Sequence, residues 1–255
     1  MTLKTTYLIF FVLIIILFFL LCGFANQWKQ IIVVEKVEVQ GIYILPERDV
    51  VKLAAIKFGT PIFEINLDNI RTELLRNEYI EEANISRSFS GTLHLVIRER
   101  KPIGSLMFNK MWYVDGDGTL LSKIPASVVL DLPIISGVRL EPEKIKGGTV
   151  ISYTDAQTAI SILTEVMKID EDLYFLISEI DLNYGKDIII HSADYGVPIN
   201  IGRGNYTHKL KLLSAFWQKY VVTRDSQNLE SVDVRFKNQL VVKWKEEPKA
   251  KERTI

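Results

Sequence analysis

Cysteine is almost absent from this chain of 255 residues. Cys22 stands alone, which excludes an internal disulfide framework and any cysteine-rich zinc site. Histidine is scarce too: His94, His191 and His208 lie far apart, without metal-ligand spacing, and read as strand-face or helix-start residues. An excess of charge is missing. With 31 basic and 31 acidic side chains the formal net charge is zero, which argues against a protein built to coat nucleic acid. Serine nucleophile elbows and His-Glu-x-x-His are absent, and no cofactor motif is present. What remains is a composition near the globular average, 48% hydrophobic and 24% charged, long enough for one or two domains. The slightly positive mean hydropathy traces to the first 25 residues.

Tyr7 to Ala25 is an apolar run of 19 residues without a charge. A helix needs about 20 apolar residues to cross the hydrocarbon core of a bilayer. Residues 7–25 are therefore expected to be a transmembrane helix, with 1–6 as a cytoplasmic tail. Lys4 and the N-terminal amine put Met1 inside, so the chain after Asn26 lies outside the cytoplasm. A cleaved signal peptide competes, because Gly23-Phe24-Ala25 is a small-x-small triplet. Against it, the run exceeds the roughly 7–15 residues of an h-region. Leu21 before Cys22 disfavours lipoprotein cleavage. No second run of this length follows, which gives a single-pass protein.

Residues 33–100 read as a small βααββ module. Val33 to Gln40 alternates, with Val37 and Val39 on one face, until Gly41 ends the strand. Pro46 suits a first helical turn, and Val50, Leu53 and Ala54 repeat at helical spacing. Gly59-Thr60-Pro61 breaks the chain, and Asn66 caps a second helix in which Leu67, Ile70 and Leu74 share a face. Strands follow at Glu82–Phe89 and, after the Ser90-Gly91-Thr92 turn, at Leu93–Ile97.

Residues 101–246 read as a mixed β domain with two helices, followed by a charged tail, 247–255, expected to be disordered. Strands are expected at Ser105–Phe108 and Met111–Val114, with a turn at Asp115–Gly118. Pro125, Pro133 and Pro142 punctuate a loop-rich stretch. Ala156, Ala159, Ile160, Leu163 and Met167 place a helix at Asp155–Met167, with Thr154 as its cap. Leu173–Leu182, Asp187–His191 and Val197–Ile201 read as strands. Thr207 is read as the cap of a helix to Tyr220 whose inner face is Leu210, Leu213 and Trp217. Strands at Ser231–Phe236 and Leu240–Trp244 close the domain. The expected fold class is α+β.

The strand-helix-helix-strand-strand order directly after one anchor resembles a POTRA domain. The segments Val37-Glu38-Val39-Gln40-Gly41, Glu47-Arg48-Asp49-Val50, Gly59-Thr60-Pro61-Ile62-Phe63 and Ile97-Arg98-Glu99-Arg100-Lys101-Pro102 resemble the bacterial cell-division family FtsQ/DivIB. So do Val197–Asn205, which carries Gly202-Arg203-Gly204-Asn205, and Val232-Asp233-Val234-Arg235-Phe236 followed by Leu240–Trp244. Asn205 stands where the family usually has Asp and keeps a short capping side chain. The resemblance covers roughly residues 1–246.

Asp115-Gly116-Asp117-Gly118 after Met111–Val114 fits the first motif of haloacid-dehalogenase-type phosphatases, with one Asp as nucleophile and the next as acid/base. That chemistry needs a further acidic pair for magnesium, and Glu179 and Asp181 are the best on offer. The same string is an excellent hairpin turn, which is the reading favoured here. A calcium loop fails because its twelfth position is Ala126. Gly202-Arg203-Gly204 lacks the Lys-Ser/Thr ending of a phosphate loop and reads as a tight turn displaying Arg203.

The last strand suggests binding instead. Leu240, Val242 and Trp244 point one way, Val241 and Lys243 the other, so the three apolar residues are core or interface. At a sheet edge this strand could accept a partner strand, with Arg203 and Arg235 offered to acidic partner residues. The family resemblance favours the edge. It implies a non-catalytic inner-membrane scaffold at the division septum that recruits FtsB and FtsL through Arg203, Arg235, Phe236, Asn238, Leu240, Val242 and Trp244. It also implies help in controlling septal peptidoglycan synthesis, and contact of the POTRA module with earlier division proteins such as FtsK. The alternatives are a POTRA adaptor for secretion or outer-membrane assembly and a membrane-tethered phosphatase using Asp115 and Asp117.

Overall fold

The computed structural model describes residues 3–122, 124, 128–141, 143, 145–221 and 226–245; within the first helix it describes the side chains of Tyr7, residues 10–24 and Ile31. Pro125, Ala126, Pro142, Met1, Thr2 and the tail 247–255 lie outside the described residues. The chain divides into two units, Met1–Glu99 and Arg100–Ile255.

The first unit begins with α1 (Leu3–Ile31), a helix of 29 residues. Its described side chains, Tyr7, residues 10–24 and Ile31, are all exposed. Among the described residues no helix is long and apolar enough to cross a membrane. The apolar run read from the sequence includes Leu8, Ile9 and Ala25, whose side chains are outside the described set.

Beyond α1 come β1 (Lys36–Gln40), α2 (Glu47–Leu53), α3 (Leu67–Leu75), β2 (Ile80–Arg87) and β3 (Thr92–Glu99). The sheet order is β1-β3-β2, with β1 parallel and β2 antiparallel to β3. Leu93, Leu95 and Ile97 turn one face of β3 to Val50, Ala54, Ile70 and Leu74, and all seven are buried in one cluster. Asn66 caps α3 by accepting from Asn69 N at 3.1 Å. The first strand is shorter than the alternation implied, because residues 32–34 pair with a loop. Ile62 N donates to Ile32 O at 2.9 Å and Val34 N to Thr60 O at 3.0 Å. Gly41 at φ +82 is required by contact: a Cβ there would lie 2.0 Å from Ile97 O.

The turn between β1 and α2 hangs on one carboxylate. Glu99 is 5% exposed. Its oxygens accept from the backbone N–H groups of Tyr43 (2.8 Å), Ile44 (2.7 Å) and Leu45 (2.8 Å). A buried anion is tolerated when donors saturate it in this way.

The second unit is built on a mixed nine-stranded sheet of order β12-β11-β10-β9-β8-β7-β4-β5-β6. Its strands are β4 (Pro102–Phe108), β5 (Lys110–Asp115), β6 (Leu120–Leu121), β7 (Ile134–Ser136), β8 (Ile177–Asp181), β9 (Ile189–Ser192), β10 (Pro198–Asn200), β11 (Leu229–Asp233) and β12 (Val241–Trp244). The helices α4 (Thr154–Ile169), α5 (Glu171–Leu176) and α6 (Tyr206–Phe216) accompany it. Ala159, Ile162, Leu163, Leu210 and Leu213 join Ile180, Ile190 and Ile199 in a single buried cluster.

Several local expectations are corrected. Thr154 is the first helical residue of α4, and Tyr153 holds the cap position through its backbone, making no side-chain cap bond. The segment expected as one strand, Leu173–Leu182, begins as α5. Asp170 accepts from Asp172 N at 3.0 Å and Leu173 N at 3.3 Å, nucleating the helix, while Leu173, Tyr174 and Leu176 are buried. Thr207 does not cap α6. Its hydroxyl donates to Glu165 at 2.9 Å, and the cap residue is Asn205, left-handed at φ 54 and making no side-chain cap bond. The helix ends at Phe216 and continues as a π turn, Trp217–Val221. Strand β11 stops at Asp233, which leaves Arg235 and Phe236 in the loop that follows.

Replacing Glu99 by Ala would strand three backbone donors. We expect a loss of about 3 kcal/mol in denaturant unfolding of the first unit and faster amide exchange at Tyr43, Ile44 and Leu45. Unchanged exchange at those three amides would contradict the role given to this carboxylate.

Candidate partner-binding edge

Among the described residues strand β12 is paired to β11 alone and forms an edge of the sheet. The register is antiparallel, with Val232 opposite Val242 and Asp233 opposite Val241, and a bulge falls between Leu229 and Ser231. The alternation expected for the strand holds. Val241 and Lys243 are exposed, whereas Leu240, Val242 and Trp244 are half-buried and pack against the core cluster. These three are not fully covered. With Leu212, Phe216 and Tyr220 they wall an apolar groove of about 430 Å³. The helix side of that groove was not singled out from the sequence, although Leu212, Phe216 and Tyr220 repeat every four residues.

At the other end of the hairpin lies a concavity of about 550 Å³ whose lining includes Arg203, His208, Arg235, Phe236, Lys237 and Asn238. The structure thus brings Arg203 and Arg235 together. It also pairs both internally, which the sequence reading had not foreseen. Arg203 donates to Asp155 at 2.8 Å, Lys186 O at 2.7 Å and Leu182 O at 3.3 Å. Arg235 donates to Asp233 through Nε at 3.0 Å and to Asp187 at 2.8 Å. The Arg235 hydrogen bonds hold the Asp233 carboxyl below its ordinary value and keep the guanidinium more firmly protonated. Each arginine remains partly exposed, with side-chain exposures of 34% and 44%.

Two further residues build this corner. Gly202 at φ +57 passes so close to Arg235 that a Cβ would lie 2.9 Å from its Cγ. Lys209 is buried and donates to Ile201 O at 2.8 Å and Arg203 O at 3.3 Å, tying the turn to α6. Burial lowers the Lys209 ammonium, and Asp187 and Asp233 oppose that shift. A lysine beside Leu210 in an amphipathic helix carries no sequence sign of burial, which is why it was overlooked. Phe236 is 50% exposed, and Asn238 takes the left-handed conformation, φ 57, at the hairpin turn.

The catalytic-looking string resolves differently. Asp115 is buried, and its Oδ1 accepts from the backbone N–H groups of Asp117 at 3.0 Å and Thr119 at 2.7 Å. Its Oδ2 accepts from Arg100 at 2.9 Å. This is a turn anchored by its own first residue. Glu179 accepts from the Ser136 hydroxyl, and Asp181 from Asn183 N at 2.8 Å. Three strand spacings, about 14 Å, separate β5 from β8, too far for one magnesium ion to join Asp115 to that pair. Among the described residues no group of three or more His, Cys, Asp or Glu side chains is placed to hold a metal.

Two variants test the corner. Gly202→Ala should displace Arg235 from Asp187 and lower stability, as seen in the melting temperature and in exchange at Arg235. The Asp233–Arg235 contribution has the sign of a depressed carboxylate. It is fully present above the ordinary Asp value of 3.8 and is lost as pH falls through the lower folded value. Carboxyl NMR should place Asp233 below that value, and Arg235→Gln should return it upward.

Comparison with known proteins gives the lineage. A family model described as a POTRA domain of FtsQ type matches residues 33–100. A second, described as FtsQ/DivIB, C-terminal related, matches residues 101–243. The cell division protein FtsQ of Rhodothermus marinus is 26% identical over 235 residues, covering 89% of this chain and 84% of that protein. FtsQ of Geotalea daltonii is 25% identical over 214 residues, covering 82% and 74%. FtsQ of Salinibacter ruber is 23% identical over 225 residues, covering 85% of each. With both matched segments lying in the order in which the two folded units occur, the chain belongs to the FtsQ/DivIB family of bacterial cell division proteins.

Proposed function

We propose that this protein is a non-catalytic scaffold of the division machinery that captures FtsB, together with FtsL, by strand addition to β12. The observation that carries the reading is the edge position of β12, flanked by an apolar groove and by the Arg203–Arg235 corner. A partner strand laid along β12 would gain main-chain hydrogen bonds. Its apolar side chains would enter the groove beside Val242 and Trp244. Acidic side chains would share Arg203 and Arg235 with the aspartates that already hold them, so the arginines arrive preorganised. Phe236 and Asn238 line the approach between the two features.

In the same reading α1 anchors the chain in the inner membrane. The run Tyr7–Ala25 spans about 28 Å at 1.5 Å per residue, close to the hydrocarbon thickness. Met1 then lies in the cytoplasm and both folded units on the periplasmic side, at the septum. From there the scaffold links earlier division proteins, FtsK among them, met by the POTRA module, to control of septal peptidoglycan synthesis. The turn geometry of Asp115 favours this scaffold over a phosphatase, and the C-terminal unit favours it over a general POTRA adaptor.

The test is the affinity of the full chain for co-reconstituted FtsB and FtsL. Phe236→Lys or Trp244→Lys should each cost about 2 kcal/mol, a thirtyfold weakening; the melting transition should stay in place for Phe236→Lys and fall modestly for Trp244→Lys, which also packs against the core. Asp117→Asn, on the exposed turn, should change nothing. Unaltered binding in both Lys variants would move the partner surface away from this edge.

A further inference from the structure

The polar end of the first unit nearest α1 carries aromatic rings that the protein leaves uncovered. Phe58 is 59% exposed and Phe89 is 77% exposed. Phe89 lies against Phe63, ring centres 5.8 Å apart, and the Arg87 guanidinium sits 5.8 Å from the Phe63 ring centre. Large exposed aromatic side chains grouped on one surface mark an interaction site.

Hydrogen bonds tie these rings to the segment that leaves α1. Gly59 N, next to Phe58, donates to Val34 O at 3.0 Å. Glu35 N donates to Gly91 O at 2.9 Å, which fixes the Phe89 turn beside the same segment. Ile62 N, next to Phe63, donates to Ile32 O at 2.9 Å. The backbone beside all three rings is thus bonded to residues 32–35, directly after Ile31, the last residue of α1. From Ala25, the end of the apolar run, to Ile31 is six residues of helix, about 9 Å. The headgroup layer is about 5–8 Å thick on each side of the hydrocarbon. Ile31 therefore comes at about the outer edge of the headgroup layer, and the segment that holds the rings follows it directly.

From this continuity we propose that the Phe58–Phe63–Phe89 surface seats the first unit on the lipid interface. The inference rests on the reading of α1 as a membrane anchor and adds a second contact to it. The occupant is the lipid surface, because the covalent path from α1 leads there. The attraction is apolar. Along the sequence beside the rings, Glu35 is followed by Lys36 and Lys57 is balanced by Glu64, so the pull is assigned to the rings rather than to charge. Phenylalanine rings exposed on a protein surface gain by burial at the boundary between headgroups and acyl chains. A unit seated in this way would present its other end, where β1 finishes at Gln40, to the periplasm. Gln40 lies about 13 Å along the strand from Lys36.

The experiment uses the full chain with Cys22→Ser, reconstituted in phosphatidylcholine vesicles. A spin label is attached at Lys57→Cys, Ser90→Cys or Gln40→Cys, three exposed positions. Collision with oxygen, which concentrates in the bilayer, is compared with collision with a water-soluble nickel chelate. The labels at 57 and 90 should lose nickel collisions and gain oxygen collisions relative to the label at 40. Adding Phe58→Ser and Phe89→Ser should restore nickel access at both. Replacing part of the lipid by phosphatidylglycerol should leave the pattern unchanged. Equal nickel access at all three positions in chains that float with the vesicles would overturn the seating and leave the anchor standing. Protection seen only with phosphatidylglycerol would overturn it in favour of charge. Chains that fail to float would overturn the anchor reading and the seating with it.

Discussion

An open β-sheet must end, and at its last strand the backbone presents N–H and C=O groups that the fold does not pair. In the second unit that condition falls on β12, and the surrounding sequence is arranged around it. The strand is four residues long, a bulge interrupts its pairing with β11, and Lys243 on its exposed face pairs with Glu230 at 2.5 Å. Short length, irregularity and an outward lysine are ways in which natural sheets discourage indiscriminate edge pairing. They leave the strand available to a partner that also satisfies the side chains on either side of it.

The corner beside the edge shows how close packing sets electrostatics. Gly202 lets Arg235 lie across the turn that Lys209 ties to α6, and Asp233 and Asp187 then hold the guanidinium in place. Only the last two interactions are between opposite charges. The first two depend on a missing Cβ and on a buried amine with carbonyl acceptors. At the boundary between the two units a similar division occurs over two consecutive residues. Glu99 accepts three backbone bonds from the β1–α2 turn of the first unit, and Arg100 donates to Asp115 of the second. Each unit holds its own end of the chain that joins them.

Local periodicity made much of this legible. Val37 and Val39 announced a strand, Asn66 a cap, and Ala156 to Leu163 a buried helix face, because each pattern is carried by neighbours in sequence. Leu173 was misread because a short apolar run suits a strand or a buried helix equally, and the decision lay with Asp170, whose carboxylate also accepts from Ser214 and from Gln218 at 2.9 Å. Asn205 was misread because a short polar residue before a helix usually caps with its side chain, whereas here its left-handed backbone makes the turn. The pairing of Arg203 with Asp155 and of Arg235 with Asp187 joins residues distant in sequence, and no local pattern carries such contacts. The family resemblance favoured the sheet edge, which periodicity alone left open between core and interface, while the groove wall from α6 appeared only with the tertiary fold.

The energetics of strand addition explain why the edge needs both neighbours. A four-residue strand turns two residues outward, which gives at most four main-chain hydrogen bonds to a partner. At about 0.5–1.5 kcal/mol each, these contribute roughly 2–6 kcal/mol. Association costs about 4–15 kcal/mol in lost translational and rotational freedom. Backbone pairing alone therefore scarcely offsets the cost of bringing two chains together. On the proposed reading, net affinity would have to come from apolar side chains entering the Val242–Trp244 groove and from carboxylates meeting arginines already fixed by Asp155 and Asp233. The open strand would then serve as a register guide, with discrimination between partners left to the groove and the corner that flank it.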